Sequence, residues 1–93
     1  MNNQDLILNI AVNLGRLGKW GMEKRTERIA QFLEDSKRYL DQIDEKSLNP
    51  NFQETYKTFL KNFDYLQNNP AGDDWAETAF TWANILTHRA KLT

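Results

Sequence analysis

The chain has 93 residues, 40% hydrophobic and 27% charged, with a formal net charge of −1. That composition belongs to one ordinary globular domain rather than a disordered segment, and a charge near zero excludes a general attraction to nucleic acid or anionic membrane. The absence of cysteine excludes disulfides, thiolate nucleophiles and cysteine-ligated zinc.

The first element centres on Leu6 to Met22, LILNIAVNLGRLGKWGM. The five residues before it carry no basic side chain, so a signal-peptide n-region is lacking, and its apolar run is too short to span a bilayer. A soluble protein of a reducing cytoplasm, without a membrane partner, is expected. Asp5 suits a helix start, where a carboxylate favours the macrodipole. Asn9, Asn13 and Arg16 are spaced i, i+4, i+7 and form one narrow polar stripe. A helix over about residues 5–18 with so little polar face has to be covered on at least two sides.

Gly15, Gly18 and Gly21 follow within seven residues. Each glycine inside a helix costs about 0.5–1 kcal/mol against alanine, so three mark a break or a place where another backbone comes very close. The pattern predicts a tight joint between Gly18 and Gly21. The alternative joins the first two helices into one kinked rod of about 40 residues, about 60 Å long, which would need a second chain to cover it.

The second helix is predicted over about residues 21–45. Met22, Thr26, Ile29, Leu33, Ser36, Leu40 and Ile43 step alternately by four and three, a bundle seam flanked by Phe32 and Tyr39. The small polar Thr26 and Ser36 fit close helix approach. Asn49-Pro50 then supplies an N-cap and a first-turn proline. The third helix, about residues 50–67, carries Phe52, Tyr56, Phe59, Leu60, Phe63 and Leu66. Asn68 to Gly72 ends it in a turn. Asp73 or Asp74 starts the fourth, about residues 73–90, with Glu77 completing a capping pattern. Its small face, Ala76, Ala79, Ala83, Leu86 and Ala90, is flanked by Trp75, Phe80, Trp82 and Ile85. Alanine allows close packing and the indoles cover the edges. His88, Arg89 and Lys91 suit the negative helix end. With no strand pattern or repeat, the reading is an all-α, antiparallel four-helix bundle, a single domain over residues 1–93.

Catalytic raw material is poor. One histidine, His88, and two serines, Ser36 and Ser47, give no nucleophile arrangement, and Asn84 is the best company His88 has. Glu23 and Glu27 lie four apart, but no Glu-x-x-His occurs, so they are read as helical ion-pair partners of Lys19, Lys24 and Arg28 rather than metal ligands. The glycines follow no strand and match no dinucleotide fingerprint. No catalysis, metal or cofactor is expected.

One charge pattern stands out. Residues 16–28 hold five basic residues against two acidic, with Trp20 among them, and residues 34–45 hold five acidic against two basic. A second helix basic at its start and acidic at its end opposes the macrodipole, a pattern with a reason if those charges face a partner. The expected function is protein–protein interaction, as an adaptor, regulator or assembly subunit. Arg16, Lys19, Trp20, Lys24, Arg25 and Arg28 form the partner-binding surface, and antiparallel self-pairing gives a homodimer. Leu6 to Leu17 contribute if that dimer is intimate. The alternative is a nucleic-acid-binding accessory subunit in which Trp20 stacks a base and the cations meet phosphates. The aromatic residues read as core filling, unless Trp75, Phe80 and Trp82 form an exposed patch.

Overall fold

A computed structural model describes all 93 residues as an all-α chain. The four helices are α1 (Asn3–Glu23), α2 (Ile29–Asp41), α3 (Pro50–Asn68) and α4 (Asp73–Arg89), with single 3₁₀ turns at Thr26–Arg28, Glu45–Ser47 and Ala90–Leu92. Helix α1 runs antiparallel to α2 and α3 to α4, while α1 packs most closely on α4. The Asn3 amide donates to the Asp44 carbonyl at 3.0 Å and accepts from the Asp44 N–H at 3.1 Å, while Arg16 and Trp20 meet Phe32 and Arg28. Between α3 and α4, Arg89 donates to the Thr55 hydroxyl, Phe59 meets Trp82, and the buried Trp75 Nε1–H donates to the Leu66 carbonyl at 2.9 Å. The antiparallel four-helix arrangement expected from the periodicity is therefore present.

Helix α1 differs from expectation. It runs unbroken through all three glycines to Glu23, so neither the joint at Gly18–Gly21 nor the 40-residue rod exists. The glycines serve approach instead. A Cβ on Gly18 would lie 2.8 Å from the Phe80 ring, and one on Gly21 would lie 3.0 Å from the Trp75 ring and 3.3 Å from the Ala76 Cβ. Gly18 and Gly21 of α1 thus make room for the Phe80 and Trp75 rings of α4, with Ala76 beside Gly21.

The chain turns one residue after Glu23. Lys24 takes the left-handed conformation at φ 56°, ψ 34°, and the Arg25 N–H donates back to the Trp20 carbonyl at 2.9 Å. That is a Schellman closure with lysine in the position glycine usually occupies. Its consequence for the second helix is large. Residues 22–28 leave it, α2 keeps only 13 residues, and Met22 and Thr26 are exposed rather than in the seam. Ile29, Ser36 and Leu40 on α2, and Ile43 beyond it, do face inward.

The core closes on α1. Leu6, Ile7, Ile10, Leu14 and Leu17 are at most 1% exposed, covered by α4 and α2 of the same chain. Phe52, Phe59, Phe63, Leu66, Trp75, Trp82 and Leu86 fill the other half. Asn13, read as part of the polar stripe, is buried, whereas Val12 is 54% exposed. No helix is long and apolar enough to cross a membrane.

Candidate functional site

The six residues singled out by charge come from three consecutive pieces of chain. Arg16, Lys19 and Trp20 lie on the last turns of α1, Lys24 and Arg25 form the link, and Arg28 ends the 3₁₀ turn that leads into α2. They do gather at one end of the α1–α2 pair. The residue that organises them is Phe32 on α2. Trp20 stacks on Phe32 with ring centroids 4.7 Å apart and planes inclined by 22°. The Arg16 guanidinium lies 5.7 Å from the Phe32 ring and that of Arg28 lies 5.9 Å from the Trp20 ring. Each ring of the stack therefore carries its own cation, and the stack ties the two helices together beneath a basic surface.

Linear spacing pairs position 20 with no position on the next helix. The turn at Lys24 sets that pairing, so Phe32 was legible only as a residue beside the seam. The same turn relieves the conflict with the macrodipole for Lys24 and Arg25, while Arg28 still stands at the N-cap of α2. Lys24 and Arg25 do not start a helix; they follow the carbonyl end of α1, where positive charge is favourable. It also separates Glu23, at the end of α1, from Glu27, in the 3₁₀ turn, so the two no longer share a helix face. Glu27 pairs with Arg25 at 3.7 Å, an exposed ion pair worth little.

The two ends of the charge pattern differ in how far they are neutralised internally. At the acidic end Asp35 pairs with Arg38 and Asp41 with Lys37. Asp44 accepts from the Lys46 N–H and from the Ser47 hydroxyl at 2.6 Å. Glu34 and Glu45 remain without an ion pair. At the basic end only Arg25 is paired, and Arg16, Lys19, Lys24 and Arg28 are exposed cations with no carboxylate partner in the chain. These basic residues do not lie on α2 itself, so simple antiparallel pairing of two α2 helices does not bring basic starts against acidic ends.

The remaining polar groups are occupied locally or lie apart. His88 is exposed, and its Nδ1–H donates to the carbonyl of Asn84 on the same helix at 2.8 Å. Ser36 is fully buried with no partner for its Oγ, and Ser47 is bound to Asp44. Trp75 and Trp82 are core residues, and Phe80, 39% exposed, lies along Gly18 at the edge of the α1–α4 contact. The aromatic patch considered from sequence thus reduces to one ring. No protein-family model, curated protein or solved structure matches the chain.

Proposed function

We propose that the chain is a small non-catalytic interaction protein of the cytoplasm, an adaptor, regulator or assembly subunit, that self-associates through the basic surface around Trp20. One observation carries this reading: four of the five cations at that surface have no carboxylate partner within the chain, on a molecule whose net charge is −1. Exposed like charges held together on a rigid aromatic stack favour an acidic counterpart. The chain carries such groups, Glu34 and Glu45 among them. Because Leu6, Ile7, Ile10, Leu14 and Leu17 are covered internally, the contact uses surface charge rather than an apolar seam.

The test is charge reversal. Sedimentation velocity of the parent is expected to show association that weakens steeply as salt rises. Arg25→Glu with Arg28→Glu is expected to weaken it at low salt and flatten its salt dependence. Assembly of the doubly substituted chain equal to that of the parent at low salt overturns the reading.

A nucleic-acid-binding accessory subunit has the cations it needs, but its stacking platform is already in use. Base stacking requires an open aromatic face, and Phe32 lies against one face of Trp20. Quenching of tryptophan fluorescence by a short single strand at low salt, lost as salt is added, would favour this alternative over self-association.

A further inference from the structure

Beyond the basic surface, at the other end of α2, a groove runs between α2 and α3. It comprises two adjoining cavities of about 430 and 310 Å³ that share Glu45, Tyr56 and Leu60. The larger has the size of a small-molecule site. Its walls are apolar at Leu40, Leu60 and Phe63, and three carboxylates, Asp41, Glu45 and Asp64, line it, of which Asp41 is paired with the one cation, Lys37.

Tyr56 lies where the two cavities meet. It is 95% buried, yet its hydroxyl has no hydrogen-bond partner in the protein and opens on the groove. Burial, then the charges of Glu45 and Asp41, push its pKa up to about 12. The hydroxyl is neutral at physiological pH, as an ordinary tyrosine is, and retains acceptor lone pairs for a cationic donor. The hydroxyl opens on solvent in the groove, and its lone pairs are free to accept from a ligand N–H. The carboxylates do not converge as metal ligands would. They are spread along an apolar wall, which suits a larger organic cation.

We infer that the α2–α3 groove is a binding site for an alkylammonium group, with the hydrocarbon chain on Leu40, Leu60 and Phe63 and the ammonium N–H groups donating to Tyr56 and the carboxylates Asp41 and Glu45. Such a group is carried by free aliphatic diamines and by lysine side chains. The groove shares Glu45 with the acidic groups named above but none of the cations around Trp20, so failure of amine binding leaves that reading untouched.

The test is a titration of the whole chain with 1,5-diaminopentane, followed by amide chemical shifts at constant ionic strength. Saturable shifts confined to residues 37–48 and 53–67 are expected. Asp41→Asn with Glu45→Gln is expected to weaken binding at least ten-fold, and Tyr56→Phe about five-fold. The carboxylate variant disturbs only an exposed ion pair, so it keeps the fold and the test valid if Tyr56→Phe does not fold. A parallel titration with Nα-acetyl-lysine methylamide distinguishes the sources. Tighter binding of the diamine identifies a free amine, and tighter binding of the lysine analogue identifies a partner's side chain. Shifts that do not saturate with either amine overturn the inference. So does equal binding by 1-pentanol, or undiminished binding by the carboxylate variant.

Discussion

Gly15, Gly18 and Gly21 are one residue type in one helix with three different environments. A Cβ on Gly15 meets nothing within 4 Å, whereas one on Gly21 meets the Trp75 ring, which is buried and pinned by its hydrogen bond to Leu66. Gly15→Ala is expected to raise stability by about 0.5–1 kcal/mol through helix propensity alone. Gly21→Ala gains the same propensity but overpacks a locked indole, and a net loss of about 1 kcal/mol is expected. Thermal denaturation separates them, since each kcal/mol moves the midpoint by roughly 4–8 °C in a domain this small. Equal shifts in the same direction would mean that the α1–α4 contact is looser than described. Tyr56 gives a second check at this scale. Its pKa, raised from 10.0 to about 12, means that its contribution to stability is fully present below pH 10 and lost as pH rises through about 12. The parent is expected to lose stability across that interval by more than Tyr56→Phe does, and parallel losses would contradict the burial assigned to the ring.

The elements were legible in the sequence to different degrees. Asn49-Pro50 announced the start of α3, and the Asn49 side chain does accept from the Asn51 N–H at 2.9 Å. The aromatic stripe of α3 and the alanine face of α4 likewise carried their periodicity plainly. The boundary between α1 and α2 did not. Three glycines suggested a break where the helix continues, because glycine marks close approach as readily as a turn. The true break sits at Lys24, a residue type with no turn signature. Its left-handed conformation is an uncommon state for a residue with a Cβ, costing about 1–2 kcal/mol. Lys24→Gly is therefore expected to stabilise the chain by about 0.5–1 kcal/mol in thermal melts at high salt, after the entropy of glycine in the unfolded chain is deducted. A destabilised Lys24→Gly would show that the lysine side chain, rather than the backbone, holds the turn. The candidate surface depended on that same turn. Its cations were visible as a run, but the Trp20–Phe32 stack beneath them was not, since only the chain reversal brings those rings together.

At the scale of the molecule, an apolar first helix argued for cover on two sides, and both covers come from the same chain. The total accessible surface is 5740 Å². A compact monomer of this mass exposes about 5,600 Å² by the usual scaling with size. The fold therefore asks for no second chain to complete its core. What it leaves unbalanced is charge: a basic end with one ion pair, and an acidic end where Asp35, Asp41 and Asp44 already have partners. Association driven by such a surface is screened at ionic strengths where the core is unaffected.

The most direct measurement is solution mass by size-exclusion chromatography with light scattering, at low and at high salt. A species larger than the 11.0 kDa chain is expected at low salt, returning to the monomer mass at high salt. A monomer at both salts would remove self-association and leave the basic surface to a foreign partner. A dimer that persists at high salt would contradict charge-driven association, because it would require an apolar interface that the closed core does not provide.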